Sequence, residues 1–585
     1  MRSGASGRPG EQGAVLRKGL VWAAMLGAAV AAMPLAAQTA APANPTRNPT
    51  AGALPSRSEL NPADRLPGPA AAADMFRLPP PGPCPFARSD LTLTLNGVTL
   101  KGLTGAPESL VRPAWAGQIG KTVPLGELCA IRDRIAESLF RAGLLVRVEI
   151  PEQRIAGGTP VLEVIEASVA GVTVTGDAGP ATRIIEDYAE RLRGMAPFNL
   201  KTAQRYLLLA AEVPGITLRT IVRPSVTGRR GAVDIELQVS RDAVTAVANV
   251  QNYQSPVAGR WGALARVDFN SLTELGDRTS LVFYRTLDSN EQFVGQVLEE
   301  LRLGGSGLLL KGALSYGESR PGDVLAPLNL RSLSTVASLE LAYPVIKRRA
   351  LNLNVATGFE AISQRSEIRG GGGRLLNDQL RIAYARLGGD IHPWIGRRQG
   401  VVGASVELRK GLSILGASPD SNFLASRADG RADALVVRMT AQAQLPLADW
   451  LLLSARGEGQ ISDGPLLAYE EQPVGTLTIG RGYDPASASG DRGVAGAFEA
   501  RLGPFGVGEQ FSVQPYGFYD VARVTNRDAL GAGSTALASV GGGAQIRWRN
   551  GVLLDLVYAQ GLDSLRTGQG RPGGRLLVNL TLAVK

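Results

Sequence analysis

Beyond about residue 242 segments that alternate between apolar and polar positions dominate the chain. Val437, Met439, Ala441, Ala443, Leu445 and Leu447 are interleaved with Arg438, Thr440, Gln442 and Gln444. Val402, Ala404, Val406 and Leu408 alternate with Gly403, Ser405, Glu407 and Arg409. Leu351, Leu353, Val355 and Phe359, and Leu451, Leu453, Ala455 and Ile461, follow the same rule. A period of two marks strands with unlike faces. Here one face is apolar and the other carries full charges. A sandwich would turn the charges outward; a membrane barrel turns the apolar face to lipid and keeps a wet lumen. The segments run near ten residues, the length of a tilted membrane strand, and Leu576–Val584 is placed to close a cylinder. The expected fold of 242–585 is a transmembrane antiparallel β-barrel of 16 strands, at roughly 21 residues per strand and connection; about 14 or 18 strands would also fit. Gly370–Gly373 and Gly541–Gly543 are expected as loops or small-residue kinks.

Upstream the period changes and a unit repeats. Gly97-Val98-Thr99-Leu100-Lys101-Gly102 resembles Gly171-Val172-Thr173-Val174-Thr175-Gly176. Helical spacing follows each: Leu125, Leu128, Ile131, Ile135 and Leu139 in the first copy, then Ile184, Tyr188 and Leu192 with Leu200, Ala203, Leu207 and Ala210 in the second. Each copy closes with two strands around a proline and a glycine turn, 145–150 and 161–166, then 216–222 and 233–239. Two small α+β modules in tandem are expected, at 84–169 and 170–241.

The first 37 residues read as a secretory signal peptide. Arg2, Arg8, Arg17 and Lys18 precede an uncharged run, Gly19 to Ala32, then Pro34 and a small residue at Ala37. Its removal would take the net charge from +10 to +7, a mild balance without a dense basic run, so nucleic acid is not an expected partner. Residues 38–83, rich in Ala and Pro, read as a linker with no core of its own, any helix around Ala70 to Phe76 being short. Export would place Cys84 and Cys129 in an oxidising compartment where they can pair; two unpaired buried thiols are the alternative. Beyond residue 37 no apolar run is long enough for a membrane helix. One histidine, His392, and two cysteines leave little for histidine catalysis or thiolate metal sites, and no cofactor is expected. His392 reads as a turn or interface residue. Gly120-Lys121-Thr122 imitates the end of a phosphate-binding loop, but Trp115 stands where its first glycine belongs.

The most specific segment is Ile479-Gly480-Arg481-Gly482-Tyr483, followed by Gly490-Asp491-Arg492-Gly493. An arginine on such a tip, folded into a lumen, needs a carboxylate in bidentate geometry. Asp520, in Tyr516-Gly517-Phe518-Tyr519-Asp520, is the best candidate; an ordinary surface loop is the alternative. The combination resembles the outer-membrane transporters of two-partner secretion, the TpsB proteins. In that family an Arg-Gly-aromatic motif of the sixth extracellular loop reaches into the lumen and pairs with an acidic strand residue. Arg481, Gly482 and Tyr483 match the motif, Gly490 to Gly493 match the following Gly-Asp-Arg-Gly, and Asp520 fits the acidic place. Cys84-Pro85-Phe86, Ile119-Gly120-Lys121 and Ile150-Pro151-Glu152-Gln153 with Gly157-Gly158 resemble the family's first POTRA domain, so the repeat would be two periplasmic POTRA domains. The final Val584-Lys585 departs from the family's terminal aromatic, and 38–83 shows no clear plug helix.

The resemblance implies a non-enzymatic pore that passes a secreted exoprotein, bound by the POTRA domains. It implies outer-membrane lipid around the barrel and the barrel-assembly machinery for its insertion. An assembly factor of the same superfamily is the nearest alternative, then a passive porin and, least supported, a surface hydrolase.

Overall fold

The computed structural model describes residues 55–61 and 83–584, apart from 289, 509, 528–532, 549–550 and 566–570. The expected signal peptide and helix around 70–76 lie outside the described residues.

Two α+β modules come first. In one, helix Glu127–Ala142 turns Leu128, Ile131, Ile135 and Leu139 onto a three-stranded sheet, burying them against Leu95, Val98, Val146, Val148, Leu162 and Val164. That spacing gives the helix its apolar stripe. Its sheet is mixed: Thr99–Lys101 runs parallel to Val161–Glu166, and Val146–Glu149 runs antiparallel to it. The second module repeats this order. Ser168–Gly176 is parallel to Ala232–Arg241, which is antiparallel to Ile216–Pro224. Helices Thr182–Glu190 and Leu200–Ala211 cover it. The copies differ in the first helix, which shrinks to the turn Pro113–Ala116 in the first module. Cys84 and Cys129 form a disulfide that ties the start of this module to its helix.

Sixteen antiparallel strands among the described residues then close into a barrel, from Val244–Gln251 to Arg575–Val584, which pair with each other. The three-residue strand Phe505–Val507 continues the twelfth wall strand, Arg492–Leu502, beyond a break at Gly503-Pro504. Asn249 and Asn252 add side-chain bonds to the closing seam, Asn249 Nδ2 to Thr581 Oγ1 at 2.9 Å and Asn252 Nδ2 to the Leu576 carbonyl at 2.9 Å. The alternation reads directly on the wall. Val406, Leu408, Met439, Leu339 and Leu341 face outward and exposed, while Glu407 and Arg409 are buried inside. Trp394, Trp450 and Trp548 stand exposed at the end where the modules attach, an interfacial aromatic girdle.

Gly370–Gly373 lie at a hairpin tip, but Gly541–Gly543 sit inside the fourteenth strand, Ser534–Trp548, rather than in a loop. There a Cβ at Gly541 would come within 2.6 Å of the Phe518 ring, and one at Gly543 within 2.8 Å of the Tyr516 ring. The glycines make room for two inward aromatics of the neighbouring strand.

The second module packs beneath the barrel. Arg302 donates to the Glu212 carbonyl at 2.6 Å and to that of Gly276 at 2.7 Å, Arg205 donates to the Pro344 carbonyl at 2.7 Å, and Ser271 Oγ donates to the Pro214 carbonyl at 2.8 Å. Opening the disulfide, with 45 residues of separation, is expected to cost the first module about 4 kcal/mol in the chain-entropy picture. Thermal melting and limited proteolysis of a Cys84→Ser/Cys129→Ser variant check this: the first module should be cut faster, with the barrel still resistant.

Candidate functional site

The connection after the eleventh strand, residues 463–491, is the sixth on the side opposite the modules, and its side chains bond to the inner wall. Gln472–Val474 pairs with Ala488–Gly490, which draws its two arms together. Arg481 sits at its tip. The Arg481 backbone N–H donates to Asp520 Oδ2 at 2.9 Å, its Nε to the same oxygen at 3.0 Å, and its Nη2 to Oδ1 at 2.7 Å. The third guanidinium nitrogen, Nη1, donates to Glu499 Oε2 at 2.9 Å. The guanidinium carbon lies 3.5 Å from the centre of the Phe518 ring. Phe518 and Asp520 are two apart on one strand, so both face inward. Glu499 is directly opposite Phe518 on the twelfth strand. Burial opposes the charge on Arg481, but the bonds and field of Asp520 and Glu499 outweigh it and hold its pKa above the ordinary arginine value.

Gly482 passes so near the wall that a Cβ would lie 2.6 Å from the Gly561 nitrogen and 2.8 Å from Ser539 Cβ. No other residue fits there without moving the loop. Tyr483 is fully buried beside Val474, Ile479, Ala495, Ala522, Val524 and Leu537. Its hydroxyl lies 3.0 Å from the Ala538 and Asp563 carbonyl oxygens and accepts the Asp563 N–H at 2.9 Å.

The second motif holds the loop's return. Asp491 is wholly buried, with both carboxylate oxygens 2.8 Å from Arg427 Nη1. It also accepts the backbone N–H of Leu466 at 2.7 Å and of Arg527 at 2.6 Å, so it joins three loops. Arg492 donates to the Ser462 carbonyl at 3.2 Å. Gly490 ends the short inner strand, and Gly493 is the second residue of the wall strand that starts at Arg492.

Sequence reasoning missed a second pin of opposite sign. Glu470, on the same loop, receives both Nε and Nη2 of Arg409 at 3.0 Å, and Nη2 of Arg438 at 3.1 Å. Arg409 is 1 % exposed and also meets Glu407 and Glu360. The alternation places Arg409 and Arg438 in the lumen, but nothing local marks Glu470 as their partner.

The reading of 38–83 as a linker without a core needs correction at 55–61. Arg57–Leu60 forms a helical turn inside the barrel, with Ser56 and Glu59 in a reciprocal capping box. Gln292 donates to Glu59 Oε1 at 3.1 Å, Gln296 to Asn61 Oδ1 at 3.2 Å and Gln364 to the Pro55 carbonyl at 3.1 Å. Leu60 is fully buried among Val336, Ile362, Leu380, Ile382, Leu467 and Tyr469. Ser56-Glu59 followed by an apolar residue was the readable signal. Around Leu60 the lumen is therefore filled by an apolar cluster, not wet throughout as the alternation alone suggests, while a cavity of about 240 Å³ lies beside Ser56, Arg57 and Glu59. An open cavity of about 550 Å³ remains toward the modules, lined by Glu212, Arg302, Lys311, Glu340, Arg386 and Glu458 among others.

No curated protein sequence matches the chain. Among solved structures, CdiB from Escherichia coli is similar at 16% identity and TM-score 0.70, over 86% of this chain and 92% of that one. CdiB from Acinetobacter baumannii is similar at 15% identity and TM-score 0.63, over 90% and 96%. At that identity these two carry the fold. The family described as haemolysin secretion/activation protein ShlB/FhaC/HecB matches residues 231–546, more than half of the chain. The chain therefore belongs to that family, as an outer-membrane transporter of two-partner secretion that carries a partner exoprotein across its barrel, with POTRA domains in the periplasm.

Proposed function

We propose that the second POTRA domain captures the exoprotein in extended form and feeds it to the barrel, and that Arg481 with Asp520 holds the sixth loop in the transport-competent arrangement. The single observation that carries the loop's role is the set of three bonds from Arg481 to one carboxylate, reinforced by Glu499. Strands Ser168–Gly176 and Ile216–Pro224 support the capture step: each is an edge of its sheet, paired on one side only. Addition of a cargo strand to such an edge draws affinity from the main chain and asks little of sequence. The cavity between this domain and the wall carries both signs of charge, which suits passage of a varied chain. Residues 55–61 and 463–491 must yield before the lumen can conduct a polypeptide. Folding of the cargo outside supplies direction, and the transporter itself performs no covalent chemistry. The barrel-assembly machinery inserts it.

Arg481→Ala leaves Asp520 buried without its cation and Glu499 with Arg501 alone, at a cost of about 3 kcal/mol to loop docking. The variant is expected to insert as a heat-modifiable barrel but to secrete far less exoprotein, measured in the culture medium; normal secretion would remove the loop's role. Deletion of the whole chain is expected to abolish release of one exoprotein, with the outer-membrane protein profile unchanged on a gel.

A further inference from the structure

The upper rim of the barrel wall carries a basic, partly greasy patch that neither transport nor closure uses. On the seventh strand, Leu351–Ile368, Val355 faces lipid, and Arg365, ten residues on, shares its face. On the eighth, Arg374–Ile391, Leu387 faces lipid and Arg381 shares that face. Arg369 and Arg374 flank the hairpin between these strands and are exposed. None of these four arginines has a carboxylate partner among the described residues; Glu367, the acid nearest in the strand, is met by Arg331 at 3.8 Å. Arg381 is oriented only by neutral groups, its Nε on the Leu415 carbonyl at 3.1 Å and its Nη1 on that of Ile362 at 3.0 Å. Lys410, opposite Ala383 on the ninth strand, adds a further cation whose ammonium meets the Asp433 carbonyl.

The fifth loop completes the patch. The ninth strand stops at Gly411, short of the top of the eighth, and residues 412–424 run along the uncovered edge instead. The Leu412 N–H donates to the Arg381 carbonyl at 2.7 Å, Ser418 N–H to that of Gln379 at 2.9 Å, and Asn377 N–H to that of Leu424 at 2.6 Å. This segment is pinned, yet it presents Ile414 at 48 %, Leu415 at 72 % and Phe423 at 99 % exposure. Large side chains left open on a held loop, next to arginines without counter-ions, fit neither a water-facing surface nor a lipid-tail surface. They fit the boundary between the two, where apolar groups enter the acyl layer and guanidinium forks meet phosphate.

We propose that this rim, formed by Arg365, Arg369, Arg374 and Arg381 with Leu415 and Phe423, binds a phosphorylated lipid of the outer leaflet by its headgroup and upper acyl chains. The modules mark the opposite end as periplasmic, so the rim lies at the outer leaflet. The bound lipid supplies the missing anionic charge and covers the loop's apolar residues. Through the Arg381–Leu415 contact it also steadies the fifth loop, whose Arg427 grips Asp491 of the transport loop.

The test uses the full chain in nanodiscs of phosphatidylcholine containing a minor fraction of bis-phosphorylated lipid A. Lipid A retained per barrel after washing is counted by mass spectrometry. Two variants are compared, Arg365→Gln/Arg381→Gln and Leu415→Ser/Phe423→Ser, each checked for heat-dependent gel mobility; single substitutions replace any pair that fails this check. Retention is expected to fall about tenfold in the arginine pair, as for loss of charge-assisted bonds, and to fall also in the apolar pair. Lipid A stripped of its phosphates should be held by the native protein no better than by the arginine pair. Equal retention by the native protein and the arginine variants would overturn the proposal. Displacement of lipid A by inorganic phosphate would overturn it too, by showing a solution anion site. So would reduced secretion with unchanged retention, which would assign the patch to emerging cargo.

Discussion

A sheet that crosses a bilayer must satisfy its own backbone, because hydrocarbon offers no partner for an open edge. Closure between Val244–Gln251 and Arg575–Val584 answers that demand, and the remaining features follow from it. Once the wall is a cylinder, every second residue faces lipid and every other one faces a confined interior. The exterior can be uniformly apolar. The interior cannot be an empty tube lined with bare charges, since each ion removed from bulk water needs a partner.

The loop at 463–491 supplies those partners in both directions. Its Glu470 satisfies the wall's Arg409 and Arg438, and the wall's Asp520 and Glu499 satisfy its Arg481. Pins of opposite sign fix the loop against sliding, because a shift that relieves one strands the other. Ion pairs also suit a seal that has to open. Their net worth against hydrated ions is small, whereas an apolar core resists wetting. The interior uses both: paired charges around the loop, and a compact apolar cluster where Leu60 meets Ile362, Leu380 and Tyr469. Water that enters from the modules can replace partners for the former more readily than for the latter. The turn at 57–60 therefore anchors through Leu60 in the apolar part of the lumen, which is less prepared to hydrate than the charged part.

Much of this was legible because it is periodic. Alternation at 402–409 and 437–447 announced which residues face lipid, and the repeated helix spacing around Ile131 and Leu207 announced the two modules with matching sheets. The strand count needed the structure, since connection lengths vary from short turns to the loop at 463–491. Contacts between distant segments left weaker traces. Glu499 carries no local mark that sets it beside Arg481; only the register that places it opposite Phe518 does so. Arg57–Leu60 is too short for helical periodicity, and its capping box lies within an Ala/Pro-rich stretch that reads as linker. The Gly541–Gly543 run looks like a break until the rings of Tyr516 and Phe518 are seen to occupy the space above it.

Whether the buried charge pair acts as a unit is the question on which the proposed loop arrangement turns. A double-mutant cycle between Arg481→Ala and Asp520→Ala, read as protease cleavage of the 463–491 loop in intact cells, measures this directly. The account predicts that the double variant is no more exposed than either single one, a coupling of about 3 kcal/mol. Additive losses would mean that the two side chains contribute independently, and would contradict it.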